Sequence, residues 1–565
     1  MEWTPRKLDQ RRPSPAADTS GGVVRGSFRA KGNLSYFTGI PFAALPAGDR
    51  RWKPPAPVIP WSGQRDCRKP GPVAYQRAQN NELFFAELVK GLGLSTTRQR
   101  ALKAALKLTR SRQSEDCLSL NVRTPTEGKD LPVMVWIHGG DHTDGSGAEP
   151  LYASNTLPAR GCVQVSINYR LGIFGFFAHP ELCEESPEGI AGNYGLLDQI
   201  AALEWVHDNI SNFGGDPDNV TIFGESAGGQ AVLNLMTSPR ARGLFHKAIA
   251  QSPSDSGRWL RLREASVGLR PALDAGAEFA DLVVGVKKGQ IARLGGLEPG
   301  ELNERYRKHG DLARHFYPNI DGSVLPAAPM TAFRTGNVAQ VPLMIGYNAD
   351  EGSLLAPFVH PAGAEFGIVE AGAVHPDGIW ATFRSSHGSD AAVDKLIAAY
   401  PGLASLDDHA AERHVGDHMF GVHVDHASHY HSSADNATFR YLFESVPASP
   451  SQTAGAFHGA EIMHVFDTSI PLVPQAPGAS LLTREMGDRW FAFAATGRPD
   501  APGLEPWPQF DGDQPKHMIF DRPTSRVETC PAQPGLALLR QRIDRLGHDG
   551  IDVELDIRTN LAELR

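Results

Sequence analysis

A serine becomes a nucleophile only where the chain exposes its hydroxyl and sets a base beside it. Gly224-Glu225-Ser226-Ala227-Gly228 offers such a serine. The pentapeptide follows Val220-Thr221-Ile222-Phe223, a β-branched and aromatic run that reads as a buried strand, and it precedes residues 229–236, which read as a helix. A turn tight enough to project the hydroxyl leaves no room for flanking side chains, hence a glycine two residues to either side. The helix N-terminus beneath the hydroxyl favours developing negative charge. A bare G-x-S-x-G arises by chance in many chains; the strand, turn and helix around this one make it a candidate for acyl transfer.

That chemistry also needs a base, an acid behind the base and donors for an oxyanion. Residues 132–137 read as another buried strand and run into His138-Gly139-Gly140, a loop suited to aiming backbone N–H groups at a carbonyl oxygen. The N–H of Ala227 would add a donor. Residues 341–346 read as a strand leading to Asn348-Ala349-Asp350-Glu351. Further on, Ala456-Phe457-His458-Gly459-Ala460-Glu461 sets a histidine before a helix-like stretch. Nucleophile, acid and base then follow in the chain order Ser226, Glu351, His458. On spacing alone, Asp350 competes with Glu351 for the imidazole.

The chain resembles the type-B carboxylesterases, the family that includes cholinesterases and bacterial para-nitrobenzyl esterases. Beyond the stretches above, the likeness is carried by Gly22-Val23-Val24-Arg25-Gly26, Phe37-Thr38-Gly39-Ile40-Pro41-Phe42-Ala43 and Ser114-Glu115-Asp116-Cys117-Leu118. It continues through Asn168-Tyr169-Arg170-Leu171-Gly172, Gly192-Asn193-Tyr194-Gly195, Asn212-Phe213-Gly214-Gly215-Asp216-Pro217 and Trp507-Pro508-Gln509-Phe510. The resemblance implies an α/β-hydrolase fold, a central, mostly parallel sheet flanked by helices with long helical insertions forming the pocket walls. It also implies ester hydrolysis by Ser226, His458 and Glu351, with Gly140, Asp141 and Ala227 at the oxyanion-donor positions. Glu225 and Ser252 match supporting positions near the histidine. Of the two neighbouring carboxylates, the family pattern selects Glu351.

The motifs spread from end to end of 565 residues around one sheet. One catalytic domain is therefore expected over 21–546, with insertions at about 256–340 and 354–437, a loosely ordered polar tail over 1–20 and an extension over 547–565. A net charge of -9 argues against nucleic acid as a partner. No stretch has the length of a membrane span, and the first ten residues lack the apolar run of a signal peptide. The five cysteines are an odd number for a secreted scaffold. Secreted relatives pair the Cys117 position with a cysteine shortly after a Gly-Pro, and here Gly71-Pro72 leads into Val73-Ala74-Tyr75-Gln76. Free thiols and a cytoplasmic location are expected. The expected partner is a small-molecule ester, with no metal or organic cofactor, in a monomer or small homo-oligomer.

His414, His418, His423, His426, His429 and His431 crowd one expected helix without a cysteine or carboxylate set to complete a metal site, so they read as a solvated or partly buried face. Arg100, Lys103, Lys107 and Arg110 fall opposite Leu102, Ala105 and Leu106 and read as the exposed side of a docked amphipathic helix. The departure from the family lies at His138-Gly139-Gly140-Asp141-His142, where a third glycine or alanine and an aromatic residue are usual. Two readings stand. In one, Asp141 and His142 recognise a polar or cationic group on the acyl side of a specialised substrate. In the other, Asp141 turns outward and caps a local turn. A carbamate or amide hydrolase with the same triad is the nearest alternative function, and a non-catalytic cholinesterase-like adhesion protein a more distant one.

Overall fold

The computed structural model describes residues 14–546 apart from 31, 77–78, 109–110, 254–258, 267–268, 286–287, 314, 355–412, 414–415, 450, 471–472, 474–475 and 523–524. Its strands are β1 (Ala16–Thr19), β2 (Gly22–Arg25), β3 (Ser27–Arg29), β4 (Leu34–Pro41), β5 (Gln64–Asp66), β6 (Ser119–Pro125), β7 (Leu131–Ile137) and β8 (Val163–Ile167). There follow β9 (Gly215–Glu225), β10 (Lys247–Gln251), β11 (Leu260–Arg261), β12 (Asn319–Ile320), β13 (Leu343–Asn348), β14 (Thr438–Phe443), β15 (Lys516–Phe520) and β16 (Arg526–Thr529). Eleven of these form one sheet in the order β16-β15-β14-β13-β10-β9-β7-β8-β6-β4-β3. The run from β15 to β8 is parallel, and the pairs toward both edges are antiparallel. β1, β2 and β5 make a small separate sheet, and β11 pairs with β12.

The central strands are apolar on both sides because both faces are covered, as parallel sheets require. Val133, Val135 and Ile137 of β7, with Val220 and Ile222 of β9, point into one core, which the helix Ala227–Thr237 covers with Ala231, Val232, Leu235 and Met236. Met134, Trp136 and Phe223 point into the other, closed by Leu482, Met486, Trp490 and Phe493 of the helix Ala479–Thr496. A third core gathers Trp52, Phe174, Phe176 and Phe177 with Phe279, Leu302 and Tyr306 from helices Ala272–Val284 and Pro299–Lys308.

The strand expected at 220–223 begins earlier, at Gly215, because the loop ahead of it pairs with β7 at Leu131. The tail expected to be loose through residue 20 is ordered from Ala16, where β1 pairs with β2 as a hairpin. Helices fill much of 256–340, whereas most of 354–437, together with 547–565, lies outside the described residues. The histidine-rich stretch forms the helix Val422–Ser433, with His423, His426 and His431 buried; His414 lies outside the described residues. Among the described residues, no group of three or more His, Cys, Asp or Glu is placed to hold a metal, and no helix is long and apolar enough to cross a membrane. In the helix Thr96–Leu108, Leu102 is buried while Arg100 and Lys103 are exposed; the side chains of Ala105, Leu106 and Lys107, and the whole of Arg110, lie outside the description. All five cysteines are free and buried.

Candidate active site

Ser226 sits between β9 and the helix Ala227–Thr237 with φ +58° and ψ -125°, a conformation a non-glycine residue holds only when its surroundings over-determine it. Close approach fixes the turn. A Cβ on Gly228 would lie 2.1 Å from the Ile137 carbonyl oxygen at the end of β7, so only glycine lets the helix start this near the neighbouring strand. Gly139 is equally confined: a Cβ there would stand 2.7 Å from the Glu225 carbonyl oxygen and 3.2 Å from Ser226 Cβ. The loop after β7 therefore presses its backbone against the serine.

On the other side of the serine, His458 Nδ1 is 2.6 Å from Glu351 Oε2. Glu351 is fully buried, and its second oxygen accepts from the Asn348 N–H (2.7 Å) and the Ser252 hydroxyl (2.5 Å). Asp350 faces elsewhere, accepting from the Ala456 N–H at 2.8 Å and pairing with Arg413 at 3.1 Å. Of the two neighbouring carboxylates, Glu351 is the one in contact with the imidazole. His458 Nε2 lies 3.2 Å from Oε1 of Glu225, the residue preceding Ser226. Phe420 stacks on the imidazole at 4.7 Å, and Phe84 meets it edge-on at 6.3 Å.

Burial pushes the Glu225 carboxyl up to about 8. Burial opposes protonation of His458, but Glu225 and Glu351 outweigh it and hold the imidazole above its ordinary range. Behind them Glu461 is fully buried, taking hydrogen bonds from Asn348 Nδ2 (2.6 Å) and Gln251 Nε2 (3.0 Å); burial raises its carboxyl.

The two departures in the oxyanion loop are differently placed. Asp141 is half-buried, and its Oδ2 accepts from the Tyr317 hydroxyl at 2.6 Å. It is tied to a distant segment of the chain. His142 is buried at 1% exposure among Tyr169, Phe176 and Tyr317, with Nε2 2.8 Å from Gln230 Oε1. The ring is enclosed by these side chains. Burial lowers its pKa to about 4, so it is neutral at physiological pH.

Gln251, Asn348, Tyr317 and Phe420 did not emerge from the sequence. Asn348 at least stood within the stretch leading to Glu351. Phe420 lies in a single π-turn, Asp417–Gly421, a feature frequent at functional sites but without a sequence signature.

Five neighbouring strands deliver these residues at their carboxyl ends: β7 the Gly139–Asp141 loop, β9 Ser226, β10 Ser252, β13 Glu351 and β14, by a longer connection, His458. Mostly parallel strand order, the helix after β9 and this delivery define an α/β hydrolase. The model of the carboxylesterase family matches residues 13–538, and the chain belongs to that family, as a carboxylic ester hydrolase. It is 34% identical to the fumonisin B1 esterase of Sphingopyxis macrogoltabida over 517 residues, covering 88% of this chain and 85% of that protein. Identity to the para-nitrobenzyl esterase of Bacillus subtilis is 32% over 525 residues, covering 89% and 94%. Superposition on a solved carboxylesterase of Geobacillus stearothermophilus gives a TM-score of 0.73 at 28% identity, covering 92% of this chain and 99% of that one.

Proposed function

We propose that Ser226, His458 and Glu351 hydrolyse carboxylic esters through an acyl-enzyme. The observation that carries this reading is the 2.6 Å contact from His458 Nδ1 to Glu351, with Nε2 turned toward the residue that precedes the serine. His458 takes the Ser226 proton as the oxygen attacks the ester carbonyl. Glu351 fixes the tautomer with Nε2 unprotonated, then stabilises the imidazolium that forms. The N–H groups of Gly140, Asp141 and Ala227 receive the oxyanion, and one such donor is worth about 3–4 kcal/mol of barrier. The imidazolium gives its proton to the departing alcohol, and the imidazole then activates water to release the acid. Every step runs on side chains and backbone of this chain.

The substrate we assign is a small-molecule ester bearing polar groups. The likeness to an esterase named for fumonisin B1 supports this. Five buried free thiols support a reducing compartment as the place of action. The test is a hydrolysis screen of purified protein across neutral esters of increasing chain length, polar esters, carbamates and anilides, with Ser226→Ala as blank. Turnover of esters above the blank, highest for polar ones, is the expected result. Preference for carbamates or anilides, or activity surviving in the blank, would refute the assignment.

A further inference from the structure

The loop after β7 holds three consecutive residues in the left-handed region: Gly140 (φ +105°), Asp141 (φ +55°) and His142 (φ +52°). Glycine adopts this backbone freely, but two successive residues with side chains persist there only when something holds them. Each has its own anchor. The Tyr317 hydroxyl donates to Asp141 Oδ2 at 2.6 Å, and Gln230 Oε1 pairs with His142 Nε2 at 2.8 Å. The Tyr317 ring also meets the His142 ring edge-on at 6.4 Å, so one side chain touches both strained residues. Tyr317 comes from 176 residues further along the chain, in the helical segment between β10 and β13.

A carboxylate on the residue that offers an oxyanion donor has an evident cost. A second negative charge about 6 Å from the oxyanion, at an effective dielectric of about 20, would slow its formation on the order of a hundredfold. An O–H···O⁻ bond is short, strong and directional. It turns the carboxylate toward the phenol, spreads its charge onto the donor and, through the side chain, fixes the peptide plane that carries the Asp141 N–H.

We propose that Tyr317 is a positioning residue for ester hydrolysis: its hydroxyl holds the Asp141 carboxylate off the developing oxyanion and so keeps the Asp141 N–H in donating position. The role rests on the hydrolytic reading of Ser226 and its loop. It makes the phenol's value conditional on the aspartate, which a merely structural tyrosine would not show.

The test is a double-mutant cycle in the full-length protein with para-nitrophenyl acetate as probe. Tyr317→Phe is measured in the native background and beside Asp141→Gly, with kcat, KM and melting temperature for each protein. The expected result is a loss of about 10- to 100-fold in kcat with Asp141 present, little change in KM, and a loss of less than about threefold with glycine at 141. A second cycle on Asp141→Asn, which keeps the side-chain volume, serves if glycine there unfolds the loop; the loss from Tyr317→Phe should again shrink. An equal loss in all backgrounds, no loss beside Asp141, or a Tyr317→Phe protein that folds in none of them would each overturn the proposal. If no protein in the set exceeds Ser226→Ala, the hydrolytic reading itself falls and takes this inference with it.

Discussion

At the scale of residues, the site gathers three buried carboxyl groups around one imidazole. Glu225, Glu351 and Glu461 all favour the protonated form of His458 against the cost of burying it. In the proposed mechanism that bias strengthens His458 as a base, because the imidazolium formed as Ser226 loses its proton is the state these carboxylates stabilise. It also means that the resting imidazole must shed a proton before it can act. Replacing Glu225 by Gln removes a titratable carboxyl 3.2 Å from Nε2 that favours the imidazolium when ionised, and so lowers the His458 pKa. The limb of kcat/KM that rises with deprotonation of the base should then move to lower pH; a pH–rate profile checks this, and a limb that stays put or moves upward would show that Glu225 does not govern the base. The neighbouring acids separate as sharply. Glu351→Gln should cost about 10³–10⁴-fold in kcat, as an amide in this position stabilises the wrong tautomer. Asp350→Asn should leave kcat within about threefold and act through stability instead, since Asp350 holds the Ala456 N–H and Arg413 and not the imidazole. Steady-state kinetics beside thermal melts distinguish the two.

At the scale of elements, what was legible in the sequence was what is local. The turn at Ser226 is written within five residues, because the clash that requires Gly228 arises from a backbone approach every such elbow makes. His458, one of 21 histidines, was legible only through the family motif around it, and the decision between Glu351 and Asp350 depended on which way a loop after β13 turns. Tyr317 and Phe420 were illegible: each reaches the site by the packing of a distant segment, and no neighbour in sequence marks it. Phe420 stands in the π-turn Asp417–Gly421, where the extra residue per turn re-aims a side chain that a regular helix would present elsewhere. Its ring lies 30° from the plane of the imidazole at 4.7 Å and is 1% exposed. Phe420→Leu keeps an apolar side chain in the core at a cost of about 1–2 kcal/mol but removes the flat surface against which the imidazole rests. A drop of about tenfold in kcat with a small loss in melting temperature is expected. A loss of stability with kcat unchanged would reduce the stacking to packing.

At the scale of the whole molecule, the site exists because parallel strands end on the same side. Neighbouring strands lie about 4.8 Å apart, so the five from β14 to β7 bring Glu351, His458, Ser226 and the Gly139–Asp141 loop together across roughly 19 Å. The scaffold that holds them apart and aligned is a two-faced core without a covalent staple: Cys67, Cys117, Cys162, Cys183 and Cys530 are all free and buried. Burial destabilises each thiolate, pushing Cys67 and Cys530 up to about 11 and Cys162 up to about 12, with Cys117 and Cys183 raised as well. The thiolate is the reactive form, and a thiol both enclosed and held protonated is inert. The native enzyme should therefore react with an aromatic disulfide reagent at pH 7.5 far more slowly than a free thiol does, then release the signal of five thiols once denatured. Reductant should change neither melting temperature nor ester turnover. A thiol that reacts promptly in the native state, or fewer than five after denaturation, would mean that the core is open or bridged where the structure has it closed and reduced.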